Sequence, residues 1–405
     1  MPSRWLPLSL TLAVALAVGA CTADAPTSGG SAAGAVSTQP TVSSDDAPRL
    51  SVEVVSSSFE HPWDLGFLPD GSILVTERSG DIKRLESIEP GAPVWHVQAT
   101  LDDLGARGEG GLMGLLIDPA FEETRRFLTC QVHLEATRPA DVRVVSWVLA
   151  EDGKSARRAK ELLTGLPVAQ SGRHSGCRMA LDATGALLVG TGDTAIASIP
   201  QDRTSLGGKV LRVSLDTGEG LPDNPFASSS DSNERRVLSY GHRNIQGIAL
   251  DAQSRIITAE HGPSFDDEVN VIKPGANYGW DPSRGGESTA YDESVPMTDR
   301  KRFPDAVPAL WTSGDMTEAI CAVEVLKGPI WKDHEGTLVV TALKGAKLLF
   351  LRPGADGAIE SVAVPMATDG EFERLRAARL GPDGALYVTT SNGGADKILR
   401  ITPAG

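Results

Sequence analysis

The sequence predicts an all-β protein, a six-bladed β-propeller, and three observations carry that prediction. Six turns built around an aspartate, at Asp70, Asp118, Asp182, Asp251, Asp333 and Asp383, each precede a β-rich run, as in LPDGSILVTE and GPDGALYVTT. Further short β-prone runs follow several of these turns, and helical periodicity is almost absent. Turn formers are plentiful, with 43 Gly and 26 Pro in 405 residues. Units recurring at intervals of roughly 50 to 80 residues fit blades of about four strands. A pair of β-sandwiches would also be strand-rich, but six units of one design favour the ring.

In chain order, residues 1–21 read as a signal for export. Arg4 supplies the positive start, Leu6 to Val18 the apolar run, and Val18-Gly19-Ala20-Cys21 the small-residue end. Cys21 stands where cleavage would make it the new N-terminus. That pattern resembles the bacterial lipobox and implies a lipid anchor in the cell envelope or periplasm, an ordinary signal peptide being the alternative. Residues 22–47, rich in Ala, Ser, Thr, Gly and Pro, read as a disordered tether. The propeller then occupies 48–405, with the strand-like run Arg49 to Ser57 completing the last blade and closing the ring. Asp81 to Leu85, Val142 to Leu149, Lys209 to Leu215, Val269 to Lys273, Lys347 to Arg352 and Lys397 to Thr402 supply further strands. Pro282 to Pro308 reads as a loop insertion that stretches the spacing.

The formal net charge of −15 argues against nucleic acid and anionic lipid surfaces as partners, and makes any clustered cations informative. With Cys21 assigned to the anchor, Cys130, Cys177 and Cys321 allow at most one internal disulfide, and spacing does not choose the pair. No CxxC pattern or Cys/His cluster of zinc-ligand spacing occurs.

The most informative run is Tyr240 to Asp281. Ile245 to Leu250 and Ile256 to Ala259 form a hairpin around Asp251 to Arg255. Arg243 and Asn244 enter it and Gly262 and Pro263 leave it, so the two pairs lie close, and the carbonyls of Gly262 and Pro263 are released from strand pairing. Arg243 could equally pair with Asp266, Asp267 or Glu268. Glu109, His174, Arg178, Asp193, Lys344, Arg374 and Arg376 occupy other strand ends or loops. Singly these are ordinary surface or turn residues. At a common mouth, Arg243, Lys344, Arg374 and Arg376 suit a small ligand with several carboxylates. His174 could act there as a general base oriented by Asp193. The Gly262 and Pro263 carbonyls suit Ca²⁺, provided a ligand completes the shell.

The runs YGHRN, EHGP with DDEVN, and KPGANYGW resemble the glucose/sorbosone dehydrogenase family, the soluble PQQ-dependent aldose sugar dehydrogenases. HPWDLGFLPDGSILVTER, GEGGLMGLLIDPAF, LGGKVLRVSLDTGEGLPDNPF and RLRAARLGPDGALYVTT extend the likeness over residues 50–402. The resemblance implies a six-bladed propeller that binds PQQ and calcium and oxidises the anomeric hydroxyl of aldoses to lactones, with an external electron acceptor. It implies His174 as base with Asp193 beside it, and Arg243 and Asn244 toward the quinone carbonyls. Lys344, Arg374 and Arg376 would face the PQQ carboxylates, and the Gly262 and Pro263 carbonyls would hold calcium.

Three positions depart from the family pattern. Glu109 stands where the family usually has glutamine, placing an anion near the cofactor's carboxylates unless it is protonated or paired. Glu318-Ala-Ile-Cys321 replaces an Ala-Pro-Ser-like loop, and Cys177 replaces a small residue between His174 and Arg178. The last two changes suggest a Cys177–Cys321 disulfide. The departures also favour, as the rival reading, a propeller without cofactor that binds sugars or proteins at the cell surface. A calcium-dependent lactonase would need several carboxylates on the metal, and no such set is evident.

Overall fold

The computed structural model describes residues 42–43, 47–285 and 290–404. The leader, and the tether apart from Val42, Ser43 and Ala47, lie outside the described residues.

Each aspartate turn joins the first and second strands of one blade, and every blade is a meander of four antiparallel strands. The first blade comprises Pro62–Phe67, Ile73–Glu77, Ile82–Leu85 and Val94–His96. The second comprises Leu112–Ile117, Arg126–Glu135, Arg138–Leu149 and Ala156–Leu166, and the third Arg178–Leu181, Leu187–Gly190, Lys209–Val213 and Val237–Tyr240. The fourth comprises Ile245–Leu250, Ile256–Glu260, Glu268–Val271 and Trp311–Thr312; its first two strands are the hairpin read from the sequence, with Leu250 opposite Ile256. The fifth comprises Ile320–Val325, Leu338–Ala342, Lys347–Pro353 and Ile359–Ala363. In the sixth, Leu375–Leu380, Leu386–Thr390 and Asp396–Pro403 are completed by the N-terminal strand Leu50–Phe59. That strand pairs antiparallel from Leu50 opposite Pro403 to Phe59 opposite Asp396, so the ring is closed by hydrogen bonds between the two ends of the domain. Val42–Ser43, inside the segment read as tether, pairs in parallel with Val362–Ala363 on the outer edge of the fifth blade.

The first strands of successive blades touch one another around the full circle and line the central axis. Alternating side chains of the middle strands fill the spaces between blades. Between the sixth and first, for example, Val55, Phe59, Leu65, Ile73, Val75, Tyr387 and Ile398 form one apolar cluster. A threonine on the second strand of three blades adds a directional link. Thr76, Thr341 and Thr389 donate their hydroxyls to the carbonyls of Met113, Arg376 and Pro62, each on the first strand of the next blade, at 2.6, 2.7 and 3.2 Å.

The axis also holds a buried ion cluster. Asp64 is fully enclosed, with Arg178 Nη1 at 2.6 Å and Arg379 Nη2 at 3.0 Å, while the amides of Leu65 and Leu115 donate to it. Arg178 is therefore a partner of Asp64, stacked 4.2 Å over Trp63, rather than a group displayed at a loop.

The disulfide expectation is corrected. Cys130, on the second strand of the second blade, bonds Cys177, which leads into the third, with Cα atoms 6.1 Å apart. Cys321 is free and buried. Its thiol faces Gln246 and Arg376, because the fifth blade's first strand turns it toward the axis and away from the junction where Cys177 lies. The chain-entropy model gives a cross-link spanning 47 residues a stabilisation of about 4 kcal/mol, exerted through the unfolded chain, and the bond itself lies beside the His174 loop.

Candidate active site

Antiparallel strands bring the start of each blade's first strand and the end of its second to the same end of the ring. Glu109, His174, Arg243, Asn244 and Arg374 precede first strands, and Arg376 lies within one; Asp193, Gly262, Pro263 and Lys344 follow second strands. Apart from Arg178, the candidate residues thus stand around one mouth, opposite the aspartate turns.

His174 sits at φ 47°, a left-handed conformation that a side-chain-bearing residue adopts only where its surroundings impose it. The imposition comes from the third blade's second turn: a Cβ on Gly192 would lie 1.9 Å from the His174 carbonyl. The packed loops set His174 Nδ1 2.7 Å from Asp193 Oδ1, both side chains buried. Asp193 Oδ2 accepts from Trp280 Nε1 at 2.8 Å and from the Tyr291 hydroxyl at 2.6 Å. Burial opposes the Asp193 charge, but the His174 bond, the Tyr291 hydroxyl and the nearby Arg243 outweigh it and hold the carboxyl below the usual aspartate range. With Nδ1 committed to Asp193, Nε2 is the ring nitrogen free to take a proton from a ligand.

Arg243 is fixed through its backbone, its amide donating to Glu260 Oε2 at 2.9 Å and its carbonyl accepting from the Asp193 amide at 2.8 Å. Its guanidinium meets the His261 carbonyl at 3.1 Å and Glu293 Oε1 at 2.6 Å and lies over Trp280, while Nε makes no hydrogen bond among the described residues. The three acids weighed as its partners are not hydrogen-bonded to it. Asp267 receives the Gly262 amide, the Thr317 hydroxyl and the Glu318 amide; Glu268 receives Asn270 and Thr298. Asp266 lies beside Thr312.

Asn244 donates to Glu109 Oε2 at 2.9 Å and accepts from the Gly176 amide and Gln246. Glu109 is largely enclosed. Burial presses its pKa up, but the His174 and His261 imidazoles and the Asn244 amide hold it below the usual glutamate range, so its charge is matched within the mouth. Glu318 is matched too, by Lys347 at 2.8 Å.

The cations behave differently. Lys344 and Arg374 are exposed and form no ion pair among the described residues. Arg376 is buried, and among the described residues its guanidinium meets Gln246 Oε1 at 3.3 Å, the Cys321 sulfur at 3.5 Å and the Trp63 ring. Arg78, which follows the first blade's second strand, joins them. Burial and the charges of Arg376 and Arg374 lower its pKa, and burial and the Arg376 charge likewise lower that of Arg374. Three crowded guanidiniums, none in an ion pair among the described residues, make a mouth suited to an anion. The Gly262 and Pro263 carbonyls accept no hydrogen bond among the described residues. A Cβ at Gly262 would fall 1.9 Å from the Phe265 carbonyl, so only glycine fits that turn.

The family model for glucose/sorbosone dehydrogenases matches residues 59–400. The chain belongs to this family. It is 29% identical over 363 residues to the aldose sugar dehydrogenase of Escherichia coli K12, spanning 87% of this chain and 93% of that protein. Among solved structures it is similar to the PQQ-bound aldose sugar dehydrogenase of Streptomyces coelicolor, with 29% identity and a TM-score of 0.69 over 88% of this chain and 99% of that one. It is also similar to the apo-form of the soluble E. coli aldose sugar dehydrogenase, with 26% identity and a TM-score of 0.73 over 88% and 100%. This chain is accordingly an oxidoreductase of the glucose/sorbosone dehydrogenase family.

Four residues of this family member's mouth escape sequence reasoning. Arg78 could have been found by aligning blades, since it follows a second strand much as Asp193 and Lys344 do. His261, within the EHGP run, is enclosed beside Glu109 and Cys321, and its Nε2 makes no hydrogen bond among the described residues. Tyr291 and Glu293 belong to the insertion between the last two strands of the fourth blade, where no periodic signal exists.

Proposed function

We propose that the protein oxidises the anomeric hydroxyl of aldose sugars to lactones with PQQ as cofactor, passing the electrons to an external acceptor. The observation that carries this reading is the His174–Asp193 pair at a mouth it shares with Arg78, Arg374 and Arg376, none of which forms an ion pair among the described residues. Arg78, Arg374, Arg376 and Lys344 would hold the cofactor's carboxylates, and Arg243 and Asn244 its carbonyl edge. The orphaned Arg243 Nε and His261 Nε2 are donors that such a ligand would satisfy. PQQ supplies the quinone that accepts hydride. The Gly262 and Pro263 carbonyls would hold a calcium ion, whose charge would polarise an oxygen beside it.

The chain's own part is proton transfer and placement. His174 Nε2 takes the proton of the sugar C1 hydroxyl. Asp193, kept ionised and bonded at Nδ1, fixes the tautomer and stabilises the imidazolium that forms. Trp280 and Tyr291 pack around Asp193 and exclude water from that bond. We also propose that the protein works outside the cytoplasm, anchored through Cys21. The leader pattern supports this, and so does a disulfide between Cys130 and Cys177, a bond of oxidising compartments.

Reconstitution with PQQ and Ca²⁺, followed by aldose-dependent bleaching of an acceptor dye, tests the reading. Neither PQQ binding nor dye reduction would point instead to a sugar- or protein-binding propeller. His174→Ala should lower turnover by on the order of 10² to 10⁴ with PQQ still bound. Undiminished turnover would remove His174 as the base.

A further inference from the structure

The insertion in the fourth blade brings one more charged group to the reacting position. Glu293 Oε1 is gripped by two arginines, Arg243 Nη2 at 2.6 Å and Arg173 Nη2 at 3.0 Å. Its other oxygen, Oε2, accepts no hydrogen bond among the described residues, and the side chain keeps 41% of its exposure. The carboxyl is therefore aimed by one oxygen and open at the other. Burial opposes its charge, but Arg243, Arg173 and His174 more than offset that and hold it below the usual glutamate range.

Its surroundings place it beside the base. Arg173 precedes His174 in the chain and lies 5.9 Å over the Tyr291 ring, and that ring lies 5.9 Å from the imidazole. An open carboxylate oxygen next to an aromatic face and a guanidinium is a chemistry suited to sugar hydroxyls. The oxygen accepts, the arginine donates, and the ring covers C–H bonds. Glu109, another acid of the mouth, is already engaged by Asn244.

We propose that Glu293 is a specificity-determining residue that accepts the hydroxyl on the carbon adjacent to the reacting C1 of the aldose. The proposal rests on the sugar-oxidation reading above. With C1–OH at His174 Nε2, the neighbouring hydroxyl is the one presented to a group adjoining the base. A charged acceptor makes the contact directional, and an analogue lacking that hydroxyl would leave the carboxylate unpaired.

The test uses the PQQ- and Ca²⁺-loaded protein with glucose and 2-deoxyglucose, in the wild type, Glu293→Gln and Glu293→Ala. PQQ affinity is measured separately by tryptophan fluorescence. The wild type should favour glucose in kcat/KM by on the order of ten- to a hundredfold. Glu293→Ala should lose most of that preference through glucose alone, and Glu293→Gln should restore part of it, with PQQ affinity kept. An unchanged preference in Glu293→Ala overturns the proposal while leaving sugar oxidation standing. Loss of PQQ affinity without loss of preference assigns Glu293 to holding Arg243 for the cofactor, and the substrate role falls. No turnover of either sugar by the wild type overturns the sugar-oxidation reading and this proposal with it.

Discussion

The two ends of this propeller are built from the same strands and treat charge in opposite ways. At the turn end nearly every blade repeats one device: an aspartate accepts amides of its own turn, and an arginine closes it. Asp70 takes Ser72 and Arg84, Asp182 takes Thr184, Ala186 and Arg212, and Asp383 takes Ala385 and Arg400. At the mouth no such repetition holds, and Arg78, Arg374, Arg376 and Lys344 form no ion pair among the described residues. Charge that is closed locally recurs in sequence because it is part of the turn itself. Charge left open follows no repeat, and on the proposed reading it meets the carboxylates of the cofactor.

Substitutions along the axis can break that contrast. The largest effect should come midway, at Asp64. Asp64→Asn would strand Arg178 and Arg379 and destabilise by on the order of 3 to 5 kcal/mol in chemical denaturation. Burial alone would raise the Asp64 pKa, but Arg178 and Arg379 hold it below its ordinary value of 3.8. Its stabilisation is thus complete above about that pH and is lost as pH falls through the depressed value, so the wild type should lose stability in acid more steeply than the variant.

A buried acid of the fourth blade should give the opposite slope. Glu268, enclosed and beside the charge of Glu260, is pushed up to about 8 from 4.5. The folded chain keeps a proton there that the unfolded chain has released, so stability falls as pH rises between those values. Glu268→Gln should flatten that part of the thermal stability profile, and an unchanged slope would show that Glu268 is ionised in the native state.

The smallest effects sharpen the contrast most. Asp182→Ala, at the turn end, should cost about 1 kcal/mol and leave PQQ affinity untouched. Arg374→Ala, at the mouth, should weaken PQQ binding and leave the melting temperature of the cofactor-free protein unchanged or slightly raised, because it relieves Arg376 and Arg78. If both variants lost stability alike, the mouth cations would be structural and the contrast would fail.

This difference also explains what could be read from the sequence. The turns at Asp70 through Asp383 announce six blades because their chemistry is local, and the strand at Arg49 to Ser57 announces closure because a ring must hide its edges. His174, Asp193 and the Tyr240–Asp281 run were legible through resemblance to a family. Tyr291 and Glu293 were not, since an insertion without period carries no hint of which residues fold back over the mouth. The Arg243 partner was missed for that reason: the nearby acids at 266–268 satisfy backbone amides and neighbouring polar side chains, and the true partner lies 50 residues onward. The disulfide was missed because pairing depends on which side of a strand faces the next blade, and spacing does not encode that for Cys130.

The closing pair of strands has a kinetic consequence. Leu50 meets Pro403, so the ring is sealed by a pairing that spans nearly the whole described domain. The sixth sheet cannot form until the last strand has left the ribosome, and contacts of such long range are slow to make. The strand Leu50–Phe59 must therefore wait for its partner in this sheet while the other five blades are synthesised.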